Sequence, residues 1–204
     1  MTQPPPPLTI GILIFDGIEV LDLGGPFEVF SVASRVAGRW GQEAPFRPVL
    51  VGLTSAPAGA RGGFRVLPDA TMQACPPLDV LLVPGGVIDD LQHNAAVLDW
   101  LRAQASSAGL VASVCTGAFV LAQAGLLSGR VTTHWEDQAE LARQFPELQV
   151  VPGVSWVDDG GPVTSGGISA GIDMCLHLVE RLHSRELAGA TAKQMEYRWT
   201  GVGA

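Results

Sequence analysis

The chain is short of charge, and of positive charge most of all. Charged residues make up 16% of the 204, with Lys+Arg at 12 against Asp+Glu at 20, a formal net charge of −8. A nucleic-acid or anionic-membrane surface needs a basic footprint, so neither is expected as a partner. Cysteine is scarce as well. Cys75, Cys115 and Cys175 cannot all pair within one chain, and none belongs to a Cys-x-x-Cys motif. A reducing, cytoplasmic setting is the natural expectation. There is no Gly-x-Gly-x-x-Gly, no phosphate-loop lysine and no His-Glu-x-x-His run, and His93, His134, His177 and His183 have no metal-ligand spacing. No metal and no nucleotide cofactor is therefore expected. The N-terminus lacks the basic region and apolar core of a signal peptide, and its four consecutive prolines suggest an extended leader over 1–7. The longest apolar stretch, Leu110 to Leu127, contains Ser113, Thr116, Gly117, Gln123 and Gly125 and lacks basic flanks. A buried strand followed by a buried helix explains it better than a membrane span.

What is present is an alternation of short apolar runs and helical patterns. Strands are expected over 8–15, 46–53 and 79–83, near Val150, over 154–157 and around Val163. Helices are expected from Gly25-Pro26 onward and over 94–107, 134–144, 167–182 and 184–195. The stretch 56–71, rich in glycine, suggests an irregular hairpin. Continuous apolar strands between helices predict a largely parallel sheet covered on both faces. The reading is one α/β domain over 8–198 with a tail over 199–204, large enough to bury roughly 70% of its unfolded surface.

Within that frame the segment Leu110-Val-Ala-Ser-Val-Cys-Thr-Gly-Ala-Phe119 reads as a strand turning sharply into a helix, with Cys115 at the corner. Such a corner projects into the crevice at the carboxyl edge of a parallel sheet. The positive end of the following helix would favour thiolate over thiol there. Cys115 is thus a candidate nucleophile, or else a small buried core residue. The strand 79–83 ends in Pro84-Gly85-Gly86. If it neighbours the strand before Cys115, the N–H groups of Gly86 and Thr116 form a candidate oxyanion hole. The acidic stretch Glu19-Val-Leu-Asp22-Leu-Gly-Gly-Pro26 follows the first strand and reaches the same edge. Asp22 lies between leucines, an apolar setting that would raise its pKa for acid–base work. Its alternative role is capping a helix that starts near Pro26.

Two further candidates are weaker. Gly167-Ile168-Ser169-Ala170-Gly171 fits the Gly-x-Ser-x-Gly of serine hydrolases. Its partners fail, because Asp173 and His177 fall in the next turns of the same helix. Close glycine packing and a serine cap are the simpler explanation. Among the histidines only His134, in Thr132-Thr-His-Trp135, falls near a sheet edge. Cys75 and Cys175 read as packing residues.

Together, Val80-Leu-Leu-Val-Pro-Gly-Gly86, Ser113-Val-Cys-Thr-Gly-Ala118, Thr132-Thr-His-Trp135 and Thr164-Ser-Gly-Gly-Ile-Ser-Ala-Gly-Ile-Asp173 resemble the ThiJ/PfpI superfamily. The resemblance runs from about Thr9 to Leu182. It implies a flavodoxin-like three-layer α/β sandwich, a homodimer, and a cysteine at a strained elbow. Leu21-Asp-Leu-Gly-Gly-Pro26 and Ser113-Val-Cys-Thr-Gly-Ala118 are most similar to the isocyanide hydratase branch, with Gly24 where that branch has threonine. The similarity implies Cys115 as nucleophile, Asp22 as acid–base and Thr116 as a supporting group. Gly85 and Gly86 would line the substrate, with Glu19 and His134 in support.

Related proteases carry histidine directly after the cysteine, where Thr116 stands here, and another branch replaces Asp22 with glutamate. Related regulators add a C-terminal helix-turn-helix domain, which is not expected within these 204 residues. The expected activity is hydration of an isocyanide to an N-formamide through a covalent thioimidate, with protonated Asp22 beside a Cys115 thiolate. Hydration of dicarbonyls and a non-enzymatic cysteine sensor are the rival expectations.

Overall fold

The computed structural model describes residues 5–201. Of the expected leader, Pro5 to Pro7 are exposed and outside any regular element, while residues 1–4 and the end of the expected tail, 202–204, lie outside the described residues.

The elements follow in the order β1 Leu8–Ile14, α1 Val20–Arg39, β2 Phe46–Gly52, β3 Ala58–Gly59, β4 Arg65–Val66, β5 Ala70–Thr71, β6 Val80–Val83, α2 Asp89–Gln92 and α3 Ala95–Ala105. Then come β7 Leu110–Val114, α4 Gly117–Gln123, β8 Arg130–Val131, α5 Gln138–Gln144, β9 Gln149–Val150, β10 Trp156–Asp158, β11 Val163–Ser165, α6 Ala170–Leu182 and α7 Arg185–Gln194. The main sheet has the order β10-β11-β7-β6-β1-β2-β5. All its pairs are parallel except β10 with β11. Helices α1, α6 and α7 pack together on one side, and α2, α3 and α4 on the other. This is the three-layer α/β sandwich expected, with the β2-β1-β6-β7-β11 order of flavodoxin-like folds. No helix among the described residues is long and apolar enough to cross a membrane.

The central strands are fully enclosed: every residue of β6 is buried, as is β1 beyond Leu8. That is why they read as unbroken apolar runs rather than alternating ones. Their ends are in step. Val83 pairs with Ser113, and Val114 with Ser165. Three consecutive strands therefore stop at one level, and Pro84, Cys115 and Gly166 leave the sheet side by side.

Helix α1 begins at Val20, not at Gly25-Pro26 as the proline suggested. Its N-cap is Glu19, without a side-chain cap bond, and Pro26 lies inside the helix. The helix bond that Pro26 cannot donate is one that the Asp22 carbonyl would have accepted. The cost is offset by a buried face that includes Val29, Phe30, Val32 and Ala33. Asp22 thus rides in the first helical turn instead of the connecting loop. The expected hairpin at 56–71 is only partly one: β3 and β4 pair antiparallel, while β5 joins the main sheet beside β2.

Candidate active site at the carboxyl edge

Cys115 occupies the corner between β7 and α4 with φ 56°, a left-handed conformation rare for any residue with a Cβ. Bonds on both sides hold it there. Its N–H lies 3.1 Å from the Ser165 carbonyl and 3.3 Å from that of Gly166, and its own carbonyl accepts the Thr133 hydroxyl at 2.8 Å. Strain of this kind costs about 1–3 kcal/mol and persists only where the surroundings over-determine it. The next residues crowd β6: a Cβ on Gly117 would meet the carbonyl oxygens of Val83 and Pro84, so only glycine lets α4 start there.

Asp22 meets Cys115 from the opposite side. The carboxyl is fully buried, and each oxygen accepts one backbone N–H, Oδ2 from Gly85 at 3.2 Å and Oδ1 from Ile168 at 3.0 Å. The Cys115 thiol lies near enough to couple to it electrostatically. Asp22 caps no helix. The loops that bring the two together are joined through their backbones, with Glu19 N–H on the Gly85 carbonyl and Val87 N–H on the Gly17 carbonyl, both at 2.9 Å.

Burial raises the Asp22 carboxyl to about 6, against the pull of the Ile168 amide and the thiol. The expected direction is thus present. Burial, and then the Asp22 charge, push the Cys115 thiol up to about 12. The Thr116 N–H at the start of α4 pulls the other way and favours the thiolate. The Asp22 charge disfavours the thiolate, so the thiol and the carboxyl titrate as one coupled pair.

The oxyanion hole also needs correcting. Gly86 N–H donates to Thr116 Oγ1 at 2.9 Å, and Gly85 N–H is held by Asp22, so neither faces a ligand. Thr116 returns its hydroxyl to the Gly86 carbonyl at 3.1 Å, which ties the Pro84-Gly85-Gly86 loop to the corner. Its own N–H, directed at the sulfur, is the donor left for a developing charge.

Above the thiol lies a cavity of about 250 Å³, bordered by Glu19, Arg61, Gly86, Thr116, His134, Glu136, Asp137 and Ile168. Glu19 reaches Arg61 at 3.4 Å and disfavours charge on Asp22. His134 Nδ1 lies 3.4 Å from Asp137 Oδ2. Its ring packs where a Cβ on Gly167 would stand, and that Cβ would also lie 3.1 Å from the Cys115 sulfur.

Three contributors escaped the sequence reading. Ile168, with φ 58°, works through its amide, and the Gly-x-Ser-x-Gly pattern that drew attention to this stretch pointed at the wrong residue. Ser169 is the N-cap of α6 but makes no side-chain cap bond, while Gly171 packs on Val114 as close glycine packing predicts. Arg61 arrives from the β3–β4 hairpin, and Asp137 from the turn before α5; nothing local in the sequence marked either. The remaining candidates lie elsewhere. Cys175 is fully buried in the core and Cys75 half-buried, and His177 pairs with Asp158 at 2.7 Å.

A family model, DJ-1/PfpI family, matches residues 9–181. The chain belongs to the DJ-1/PfpI family. It is 38% identical over 193 residues to an isonitrile hydratase of Pseudomonas putida, covering 93% of this chain and 78% of that protein. It is also 32% identical over 192 residues to the HTH-type transcriptional regulator GbdR of Pseudomonas aeruginosa, of which it covers only 51%. Among solved DJ-1/PfpI structures, a THiJ/PfpI family protein from Pseudomonas syringae superposes with a TM-score of 0.82 at 28% identity, over 94% of this chain and 76% of that one. Drosophila melanogaster DJ-1beta shares the fold with a TM-score of 0.80 at 22% identity, over 95% of this chain and 100% of that one.

Proposed function

We propose that the protein is a hydratase that adds water to an isocyanide, R–N≡C, to give the N-formamide, R–NH–CHO. The observation that carries this reading is the facing pair of Asp22 and Cys115, a buried carboxylate against a strained thiol at the sheet edge. Similarity to an isonitrile hydratase over most of both chains supports the substrate class.

Asp22 and Cys115 share one proton, which rests on the carboxyl once the sulfur attacks the isocyanide carbon. The carboxylic acid so formed delivers that proton to the same carbon, leaving the thioimidate R–N=CH–S–Cys115. Asp22, again a carboxylate, draws a proton from water as its oxygen adds to this carbon and passes it to the nitrogen, leaving the hydroxyl proton for the sulfur. Breaking the C–S bond with return of a proton to sulfur releases the formamide and regenerates the thiol. The Thr116 N–H stabilises charge on sulfur during attack and departure. No step calls for a cofactor. The test is formamide release from an aryl isocyanide by purified protein. Formation that persists in Cys115→Ala would rule out the covalent route.

A second reading has its own support. GbdR matches nearly the whole of this chain with about half of its own length, so the same domain also occurs within a regulator. A ligand-sensing role, with Cys115 bound or oxidised and nothing turned over, would show saturable ligand binding or sulfinic acid under mild peroxide but no product. The resemblance also implies a homodimer, which sedimentation at twice the chain mass would support.

A further inference from the structure

The cavity over Cys115 is an unusual receptacle for a neutral, apolar electrophile. Three carboxylates, Glu19, Glu136 and Asp137, border it against one guanidinium, Arg61. That guanidinium is already engaged, 3.4 Å from Glu19. Glu136 and Asp137 share one neighbour, His134 Nδ1, at 3.8 and 3.4 Å. Neither has an arginine or lysine partner among the described residues. Asp137 is close enough to oppose ionisation of the thiol. Glu136 and Asp137 stand at the exposed rim, with side chains 65% and 38% accessible, and carboxylates there raise the local concentration of cationic ligands most at low salt. At about 250 Å³ the cavity has room for only a small molecule.

We propose that the electrophile taken by this pocket carries a cationic group, of the substituted-ammonium class, held toward Glu136 and Asp137 while its reactive carbon sits on the Cys115 sulfur. The proposal rests on Cys115 being the nucleophile. Glu136 and Asp137 then determine specificity and take no part in the bond changes. An ammonium at their end of the cavity restores the balance that Arg61, occupied by Glu19, leaves unmet. A carboxylate-bearing substrate would meet repulsion in the same place.

The test separates this selectivity from the hydratase chemistry. In a Cys75→Ser background, Cys115 is labelled with two methanethiosulfonates of equal length, one ending in trimethylammonium and one in sulfonate. Each transfers its thioalkyl group to the thiol and releases methanesulfinate. Rates are divided by those of 2-mercaptoethanol with the same reagents. The cationic reagent is expected to react at least about tenfold faster at low salt, falling toward parity at 0.5 M NaCl. The preference should collapse in Glu136→Gln/Asp137→Asn. Equal normalised rates, a preference unaltered by the double variant, or no labelling by either reagent would overturn the proposal.

Two isocyanides of matched size, one with a trimethylammonium and one with a tert-butyl terminus, complete the design. A cationic preference in labelling with neither isocyanide hydrated would leave the selectivity standing and remove the hydratase reading. Equal turnover of both, together with equal labelling, would do the reverse.

Discussion

Two strand-to-helix corners face each other across Asp22, and they are built alike. One joins β7 to α4, the other β11 to α6, on neighbouring parallel strands. Each holds a residue with a Cβ at positive φ, Cys115 at 56° and Ile168 at 58°. They differ in what they present. The first turns its side chain inward, leaving Cys115 8% exposed against a buried carboxylate. The second turns its side chain out, leaving Ile168 42% exposed, and offers its backbone N–H to the same carboxylate. A strained corner is therefore a way of aiming one chosen group, and the group can be an amide as well as a nucleophile.

That contrast can be broken in graded steps. Replacing Cys115 by alanine should abolish formamide formation, since the Thr116 and Thr133 hydroxyls at that corner are both spent on backbone carbonyls; product assay by chromatography checks it. Asp22→Asn should slow turnover by about 10²–10⁴-fold, the usual weight of a positioned acid–base group. The same variant carries a stability signature of defined sign. The folded Asp22 titrates at about 6, above its ordinary 3.8, so its favourable contribution is complete below the ordinary value and is lost as pH rises through 6. Asp22→Asn also gives up one of the two acceptors held by the Gly85 and Ile168 amides, so the check is the change with pH: its Tm relative to the parent should be more favourable at pH 8 than at pH 4. In the parent protein kcat/KM should climb as pH passes about 6, as the carboxylate that accepts the thiol proton forms.

The second corner should respond more mildly. Gly167→Ala forces a methyl against His134 and the sulfur, and steady-state kinetics should show a loss on the order of 10²-fold from displaced reacting groups. Ile168→Gly removes a side chain from a left-handed position while keeping the N–H. Urea unfolding should show a gain of about 1 kcal/mol, with far less loss of turnover than Asp22→Asn. Ser169→Ala should stay within about 0.5 kcal/mol, because its hydroxyl caps nothing. A larger effect there would revive the serine that the Gly-x-Ser-x-Gly pattern first suggested.

Much of the fold was legible because enclosed strands leave a strong local imprint. The runs at 8–14, 80–83 and 110–114 lie within a residue or two of their expected spans, since a strand buried on both faces is apolar along most of its length. The start of α1 was not legible. Pro26 is a good marker of a first turn, but packing of the α1 face outweighs that preference and carries the helix back to Val20. At the site, Cys115 and Asp22 were visible as chemistry-bearing residues near strand ends. The free state of the Gly85 and Gly86 amides was misjudged, because a glycine pair signals close approach without saying to what.

The sequence by itself determined the class of fold, the corner at Cys115 and the family, because each is written in contiguous residues whose periodicity or spacing is local. Only the tertiary structure decided that Asp22 and Cys115 titrate together, which amides hold Asp22, and that Arg61, Glu136 and Asp137 border the cavity over the thiol. Those properties depend on burial and on distances between segments far apart in the chain. Desolvation of Cys115 and Asp22 arises only once β1, β6, β7 and β11 bring their ends to one level.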